Sequence, residues 1–421
     1  MWGLLYRRIF VLSWVSMVML IELCKADEEW VKPQANVPFM NGDADLSTLN
    51  AHDAAEYVTS KIKKSLQQRM ATMFDRTAKS TACRALIGQH FNYFINGPPP
   101  SYHIPNECPE EVIDWSNLPR NTSVTTLQFR QYQPLKNESI YIDADKITFC
   151  FGILTHKAPS STIRLIESLY QPGHVFVIHV DAKESSDYTY TTLSDYASTR
   201  DYIHLVPHPY RVRVNWGGFS MVNATMQLLQ YSFGLLPVDH PLELKFHKFI
   251  HLASTSYPIA SNTRIRETIA SYPLDANLFN VIMKPTRPSL GAWHYFLECD
   301  DAIQRIHRLH PLTATGHHKT GVELHTASQW FTLSREFAHY LALAEPGSLV
   351  HQMLLYSQHV VVADETFFGT VLRNSKFCTK HHNTNFLHLE FDRYESVIFD
   401  IETYDFLSCH YSYSATSFFL K

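Results

Sequence analysis

Apolar and amphipathic segments alternate from Lys146 onward, and this alternation constrains the fold more than any other feature of the chain. An apolar run from Ile147 to Leu154 is followed by an amphipathic pattern from Ser160 to Tyr170 and a second apolar run from Val175 to Val180. Such a pattern is typical of parallel strands joined by crossover helices. The sequence therefore predicts an α/β fold with a mostly parallel central sheet and flanking helices.

Polar residues follow both strands of this first βαβ unit. His156 comes shortly after the first strand, and Asp181 comes directly after the second. Because α/β proteins bind ligands at the carboxyl edge of the sheet, Asp181 is a candidate to receive a ribose hydroxyl or a base N–H. A strand-end acid exposed to water is the alternative. The unit carries neither a G-x-G-x-x-G nor a P-loop motif, so a dinucleotide or an ATP phosphate is not indicated.

Two adjacent carboxylates, Asp364 and Glu365, lie between an apolar run and an apolar helix pattern. We interpret the run His359 to Ala363 as a strand and expect a helix to begin at Thr366. One carboxylate then faces a substrate while the other caps the helix, because an acid at a helix start satisfies free N–H groups. We predict Glu365 as the working residue and Asp364 as the cap or orienting residue. A merely solvated helix terminus is the alternative.

Composition narrows the class of protein. The 421 residues are 45% hydrophobic, enough for one large or two modest domains. With 36 basic and 40 acidic residues the net charge is −4, so nucleic acid is not an expected partner. The 24 histidines are scattered, no His-x-x-x-His spacing is apparent in the His-His pairs, and no C-x-x-C pair occurs, so no metal site is predicted.

The N-terminal segment reads as a targeting signal. Arg7 and Arg8 precede an apolar run from Ile9 to Leu23, and acidic residues begin at Asp27. This charge order predicts a cytosolic N-terminus and a lumenal remainder, through a short signal-anchor or a cleaved signal peptide. We divide the chain into residues 1–26 (tail and anchor), 27–145 (lumenal stem and N-terminal region) and 146–421 (catalytic domain).

A lumenal location is consistent with two further features. Sequons at Asn121, Asn137 and Asn223 are candidates for glycosylation. Six cysteines beyond the anchor form an even set suited to an oxidising compartment, although their connectivity cannot be read from the sequence. They are Cys83, Cys108, Cys150, Cys299, Cys378 and Cys409.

Five blocks together carry a resemblance to a known family: FGILTHKAPSSTIRLIESLYQPGHVFVIHVDAK, VNWGGFSMVNATMQLL, KFIHLASTSYPI, SQWFTLSREFAHYL and VVADETFFGTVLRNSKF. In this order they resemble the core-2/I-branching β-1,6-N-acetylglucosaminyltransferases, a family that also contains xylosyltransferase and glucuronosyltransferase relatives. The resemblance covers residues 147–395. It implies a glycosyltransferase A-type fold, a UDP-sugar donor, inversion at the anomeric carbon, and a Golgi membrane enzyme with a single-pass type II anchor.

The resemblance also implies roles for individual residues. Asp364-Glu365-Thr366-Phe367 matches the short motif whose Glu is the family's general base, which takes the proton of the attacking acceptor hydroxyl. His156, Asp181, Trp216 and Gly217 fall on the donor side. For the Trp216-Gly217-Gly218 loop, a tight turn that caps the helix carrying Asn223 is the alternative.

No cofactor or metal is expected, only the UDP-sugar itself. In metal-dependent members of the fold an Asp-x-Asp follows a central strand, whereas here Lys248 to Leu252 leads into Ala253 to Ser256 without a carboxylate. The leaving diphosphate then needs cationic side chains. Arg393 and Lys421 are the nearest matches by position to the family's basic pair. Lys284, Arg287 and Trp330 are the predicted acceptor-binding residues. For Trp330, which could stack on the apolar face of a sugar, packing within a buried strand is the alternative.

Two functions of different classes remain open. One is inverting, metal-independent transfer of a sugar from a UDP-sugar to a glycan acceptor on a glycoprotein, with GlcNAc in β-1,6 linkage expected first and xylose, glucose or glucuronic acid as alternatives. The other is a lumenal glycan-binding pseudoenzyme that kept the fold but not the diphosphate clamp. Which sugar the protein would transfer depends on loops whose positions the sequence pattern does not predict.

Overall fold

A seven-stranded sheet forms the centre of the fold in a computed structural model of the chain. The structure describes residues 51–76, 78–96, 102, 104–108, 141–238, 241–282, 295–307, 322 and 324–387. The strands are β1 (Phe149–Thr155), β2 (Val175–Val180), β3 (Ile203–Leu205), β4 (Lys248–Ala253), β5 (Asn277–Ile282), β6 (Tyr295–Cys299), β7 (Ala302–His307), β8 (Thr326–Ser334) and β9 (His381–His382).

The described helices precede the sheet in the chain or alternate with its strands. They are α1 (Ala51–Arg76), α2 (Thr81–Asn96), α3 (Pro159–Leu169), α4 (Asp187–Ala197), α5 (Phe219–Ser232), α6 (Asn262–Ala270), α7 (Arg335–Leu343), α8 (Leu349–Ser357) and α9 (Asp364–Asn374). Short 3₁₀ turns occupy Glu184–Ser186 and His208–Tyr210.

The strand order of the large sheet is β3-β2-β1-β4-β8-β5-β9. The pairs β2–β3, β1–β2, β1–β4 and β5–β9 are parallel, and only β8 runs antiparallel to its neighbours β4 and β5. The predicted α/β architecture with a mostly parallel sheet is confirmed. Strands β6 and β7 form a separate antiparallel hairpin.

Strand β1 shows why the sheet forms where the sequence predicts it. Phe149, Phe151 and Ile153 face one side and pack against α3, whose Leu165 and Ile166 share an apolar face. Alternate residues face the other core, which α5 and α7 to α9 cover. A strand buried on both faces requires a continuous apolar run, as observed.

Gly152 in β1 permits a close approach to β4. A Cβ at this position would lie 2.3 Å from the ring of Phe249. The glycine therefore serves interior packing between adjacent strands rather than a turn.

Among the described residues, two disulfides link segments that precede the sheet to later parts of the chain. Cys83 in α2 pairs with Cys299 at the end of β6, and Cys108 pairs with Cys378 after α9. Cys150 is a buried free thiol in β1. The expected even set is therefore not fully paired, because the buried thiol of Cys150 lies next to the Ser232 hydroxyl rather than next to another cysteine. Cys409 lies outside the described residues.

The chain divides into two compact units, Met1–Gln67 and Gln68–Lys421. Of the first unit, the structure describes only residues 51–67, which belong to α1. The boundary near residue 145 stays a prediction; Cys83 and Cys108, which precede it, are both bonded to cysteines that follow it.

The expectation of a strand before the carboxylate pair is wrong. Residues 358–363 form turns, and α9 begins at Asp364 rather than at Thr366. Val362 adopts φ 53°, a left-handed conformation that a β-branched residue rarely takes. A strand is incompatible with that backbone. The apolar run His359 to Ala363 instead forms the turn that leads into α9.

The described helices include none that is long and apolar enough to cross a bilayer. The predicted anchor, Ile9 to Leu23, lies outside the described residues.

Candidate active site

Asp364 and Glu365 occupy the first two positions of α9. Asp364 is 3% exposed, and its Oδ1 has no hydrogen-bond partner in the described structure. Glu365 is half-buried. Burial raises the pKa of Asp364 to about 6. Burial, together with the negative charge of Asp364, raises the pKa of Glu365 to about 7. A carboxyl group that ionises near neutral pH is suited to general-base work.

Helix α9 is fixed against β8 by close contacts. A Cβ at Gly369 would lie 2.4 Å from the Cβ of Ala327, so only glycine allows this approach without a shift. The backbone N–H of His325 donates to Oγ1 of Thr370 at 2.9 Å, and the Phe331 and Phe368 rings lie 5.0 Å apart. The carboxylates thus begin a helix that packs closely against the central sheet.

The carboxyl ends of β1 and β2 are bonded to each other. The N–H of Asp181 donates to the carbonyl of Thr155 at 2.9 Å, which places His156 and Asp181 at one edge of the sheet. Asp181 is 6% exposed; its Oδ1 accepts the N–H of Lys183 at 2.8 Å, and its Oδ2 lies 3.6 Å from Nζ of the same residue. Asp181 is therefore not the water-exposed acid of the alternative interpretation. That Asp181 binds the UDP-sugar donor stays a prediction.

A segment from Arg211 to Val214 runs from this edge toward the Trp216 loop. Arg211 donates to the carbonyls of Val180 at 3.1 Å and Asp181 at 2.6 Å, and the N–H of Ala182 donates to the carbonyl of Val212 at 2.9 Å. Nζ of Lys183 donates to the carbonyl of Val214. The strand end and the loop are therefore one hydrogen-bonded structure.

Trp216 stands on the loop with its side chain 64% exposed. Gly217 adopts φ 74°, which glycine takes without strain, and its carbonyl accepts the N–H of Val362 at 2.7 Å. This bond joins the loop to the turn before Glu365. Gly218 immediately precedes α5, so the loop does have the turn-before-helix geometry of the alternative interpretation. That geometry and a donor-binding role are compatible.

Glu298 of β6 lies against the same loop. Its carboxylate accepts the side-chain amide of Asn215 at 2.8 Å, the N–H of Ser220 at 2.9 Å and the hydroxyl of Ser220 at 2.5 Å. A Cβ on Gly218 would lie 2.5 Å from this carboxylate. Asn215 and Glu298 are 83 residues apart in the chain, and no local sequence signal joins them.

The β6–β7 hairpin also contacts the turn that leads to Glu365. The N–H of Phe296 donates to the carbonyl of His359 at 3.1 Å. The rings of Tyr295 and His359 stack at 4.2 Å, and the Tyr295 hydroxyl bonds to Nδ1 of His90 in α2 at 2.7 Å. Burial lowers the pKa of His359 to about 4, so this ring is neutral at physiological pH.

A cavity of about 710 Å³ borders the loop and the hairpin. Arg213, Asn223 and Glu298 contribute to its lining, and Arg213 forms an ion pair with Asp301 at 2.8 Å. Asn223 lies within α5, where its Oδ1 accepts the side-chain amide of Gln227 at 3.2 Å. Its glycosylation stays a prediction.

Trp330 lies on β8, half-buried, with its ring 4.9 Å from that of His251. Its carbonyl accepts the side-chain amide of Asn385 at 3.1 Å. The remaining predicted site residues lie outside the described residues, so their roles stay predictions: Lys284, Arg287, Arg393, Lys421, Asn121 and Asn137.

The described part of the chain holds no group of three or more His, Cys, Asp or Glu side chains arranged to bind a metal ion. After β4, the Ser256 hydroxyl accepts the N–H of Ala253 at 3.2 Å and closes the turn where metal-dependent relatives of the fold were expected to carry carboxylates. That sugar transfer needs no metal ion stays a prediction, which an activity assay with chelator would test.

Comparisons with known proteins identify a family for this chain. Residues 149–398 match the family model described as Core-2/I-Branching enzyme. Curated relatives include Xylosyltransferase oxt of Drosophila melanogaster, 29% identical over 240 residues, which are 55% of this chain and 25% of that protein. Xylosyltransferase 1 of Canis lupus familiaris is 27% identical over 243 residues, 56% of this chain and 24% of that protein. Xylosyltransferase 2 of Homo sapiens is 27% identical over 248 residues, which are 56% of this chain and 26% of that protein.

This chain thus spans about a quarter of the length of these relatives. A solved structure of the bifunctional glycosyltransferase WbbM, in its apo form, is 10% identical over 58% of this chain and 40% of that chain, with a TM-score of 0.28, too distant to support an inference. The family match covers more than half of the chain and contains the sheet, the Trp216 loop and Glu365. This chain belongs to the Core-2/I-branching enzyme family.

Proposed function

We propose that this protein is a glycosyltransferase that moves a sugar from a UDP-sugar to an acceptor hydroxyl with inversion at the anomeric carbon, and that Glu365 is its general base. The observation that carries the proposal is the hydrogen bond from Val362 to Gly217. It joins the loop of the exposed Trp216 to the turn just before Glu365, whose half-buried carboxyl has a raised pKa. Membership of the Core-2/I-branching family supports the same reaction class.

The chemistry follows from the positions of the groups. In the ionised form Glu365 accepts the proton of the acceptor hydroxyl as the oxygen attacks the anomeric carbon, and the bond to the diphosphate breaks. His156, Asp181 and the Trp216 loop belong to one bonded edge of the fold, where we place the donor. Arg393 and Lys421 remain the candidates to offset the charge on the leaving diphosphate.

The identity of the sugar remains to be measured. The resemblance in the sequence favours GlcNAc in β-1,6 linkage, whereas the curated relatives at 27–29% identity are named xylosyltransferases. Xylose and GlcNAc are therefore the first two donors to compare. We place the protein in the Golgi as a single-pass type II membrane protein on the order of charges around Ile9 to Leu23, with a glycan on a glycoprotein as acceptor.

The test is transfer by the full chain, produced in a secretory host, with UDP-xylose, UDP-GlcNAc, UDP-glucose and UDP-glucuronic acid. A core-1 O-glycan and a serine-containing peptide serve as acceptors, excess chelator is present, and the product is identified by mass spectrometry. We expect transfer with one donor that persists in chelator and is lost in Glu365→Gln. Binding of a UDP-sugar or glycan without transfer from any donor would instead support the pseudoenzyme, and loss in chelator would overturn metal independence.

A further inference from the structure

We propose that Glu298 is a positioning residue that fixes the Trp216 loop relative to Glu365. This inference rests on the proposed function of Glu365, and it concerns a residue that does not itself touch the reacting atoms. It starts from a closed set of contacts among three segments that are distant in the chain: the loop 215–220, the hairpin 295–307 and the turn 358–363.

The first contact joins the hairpin to the loop. Both oxygens of Glu298 are used, because Oε1 accepts from Asn215 and the Ser220 hydroxyl and Oε2 accepts the N–H of Ser220. Gly218 offers no side chain to satisfy the first N–H groups of α5, and no side-chain cap is present. The carboxylate from the hairpin therefore takes the place of a cap, at the end of the helix where negative charge is favourable.

The second contact joins the loop to the turn, through the 2.7 Å bond from Val362 to Gly217. The third joins the turn back to the hairpin, through the 3.1 Å bond from Phe296 to His359. Because Glu365 follows Val362 by three residues, a shift of the loop is transmitted to the carboxylate along a short, bonded path. The Cys83–Cys299 disulfide holds the hairpin at the residue next to Glu298.

The same geometry explains Gly218. Its backbone lies at φ −84° and ψ 162°, which any residue adopts, so glycine is not required by conformation. A Cβ there would lie 2.5 Å from Oε1 and 2.6 Å from Oε2 of Glu298. Position 218 therefore lacks a side chain because the carboxylate of Glu298 fills that space, and not because a substrate approaches there.

The first test is a cycle of Glu298→Ala, Gly218→Ala and the double variant, measured by thermal unfolding and by hydrogen exchange. Gly218→Ala should lower Tm strongly when Glu298 is present and only slightly when it is Ala, since truncation of Glu298 removes the clash. Equal losses of Tm in both backgrounds would overturn the assignment for Gly218. This readout is independent of activity.

Hydrogen exchange tests the path to Glu365. In Glu298→Gln, which keeps the shape of the side chain but loses its charge, the amide of Val362 should exchange faster than in the wild type, while amides of β1 should not change. Unchanged protection of Val362 would show that Glu298 only caps α5, and would overturn the positioning role even if no sugar transfer is ever detected.

Kinetics of the same variant separate positioning from folding. We expect a fall in kcat of about tenfold to a hundredfold for Glu298→Gln at saturating donor, because a displacement of about 1 Å costs this much in rate. The matched control is Glu267→Gln, an exposed carboxylate on α6 paired with Arg264 at 3.6 Å, which should leave kcat unchanged. A kcat equal to that of the wild type per folded molecule would overturn the proposal.

Discussion

The backbone N–H of Val362 donates a 2.7 Å hydrogen bond to the carbonyl oxygen of Gly217. These residues belong to segments that are 145 residues apart by their numbers, and each has φ in the left-handed region, 53° and 74° respectively. The bond joins the loop that carries Trp216 to the turn that directly precedes Asp364 and Glu365. Substitutions at and around this contact should therefore change the activity or the stability of the protein.

Replacement of Glu365 by Gln should lower the transfer rate by about two to four orders of magnitude, the usual contribution of a general base. The amide keeps the volume of the side chain but cannot accept the proton of the acceptor hydroxyl. The measurement is kcat with the preferred donor, together with Tm. Since the substitution also removes repulsion from Asp364, Tm should not fall, and a large drop in Tm would indicate that lost activity reflects unfolding.

Transfer should rise with pH through an apparent pKa near 7, because Glu365 must be ionised to act and its pKa is raised to about 7. Stability should change in the opposite direction. A carboxyl with a raised pKa in the folded state favours the protonated form, so its contribution is present below the unfolded value of 4.5 and is lost as pH rises through about 7. Kinetics and thermal unfolding across this window check both signs.

Replacement of Asp364 by Asn should move the rise in activity to lower pH. The change removes the negative charge next to Glu365, while burial, the larger cause of the raised pKa, remains. The pKa of Glu365 should therefore fall without reaching its ordinary value. A pH–rate profile of Asp364→Asn that coincides with that of the wild type would contradict an electrostatic role for Asp364.

Replacement of Gly217 by Ala should lower the unfolding free energy by about 1–2 kcal/mol, the typical cost of a left-handed conformation for a residue with a Cβ. Space is not the cause, because a Cβ there would have its nearest contact at 3.7 Å, on Ile303. Gly217→Asn should lose less, since Asn tolerates this conformation better. Chemical denaturation of both variants gives the ranking, and equal losses would argue against conformational strain.

Removal of the Cys83–Cys299 disulfide by Cys83→Ser with Cys299→Ser should cost about 2–5 kcal/mol of stability, because the bond closes a long loop of the unfolded chain. Peptide mapping of the wild type should find this pair and Cys108–Cys378, with Cys150 as a thiol that reacts only after denaturation. A Cys150 that is labelled in the native protein would contradict its burial.

The central architecture follows from local patterns in the sequence. The apolar run of β1, the face of α3 formed by Leu165 and Ile166, and the apolar run of β2 are local patterns, and the observed elements lie within two residues of the predicted ones. The carboxylate pair at 364–365 was also visible, since an acidic dipeptide before an apolar helix is a local signal. Parallel strands that are buried on both faces need continuous apolar runs, so the runs of β1 and β2 predict such strands.

The contacts that hold the loop, the hairpin and the turn together join residues that are distant in the chain. The apolar run before Asp364 predicted a strand, but Val362 bonds across to Gly217 and turns the chain, which no local propensity indicates. Glu298 reads in the sequence as an ordinary polar residue, and its role comes from partners 78 and 83 residues away. Local periodicity encodes which segments become strands and helices, whereas contacts between distant loops depend on how those elements pack. That packing brings the hairpin of Glu298, the loop of Gly217 and the turn before Glu365 into contact.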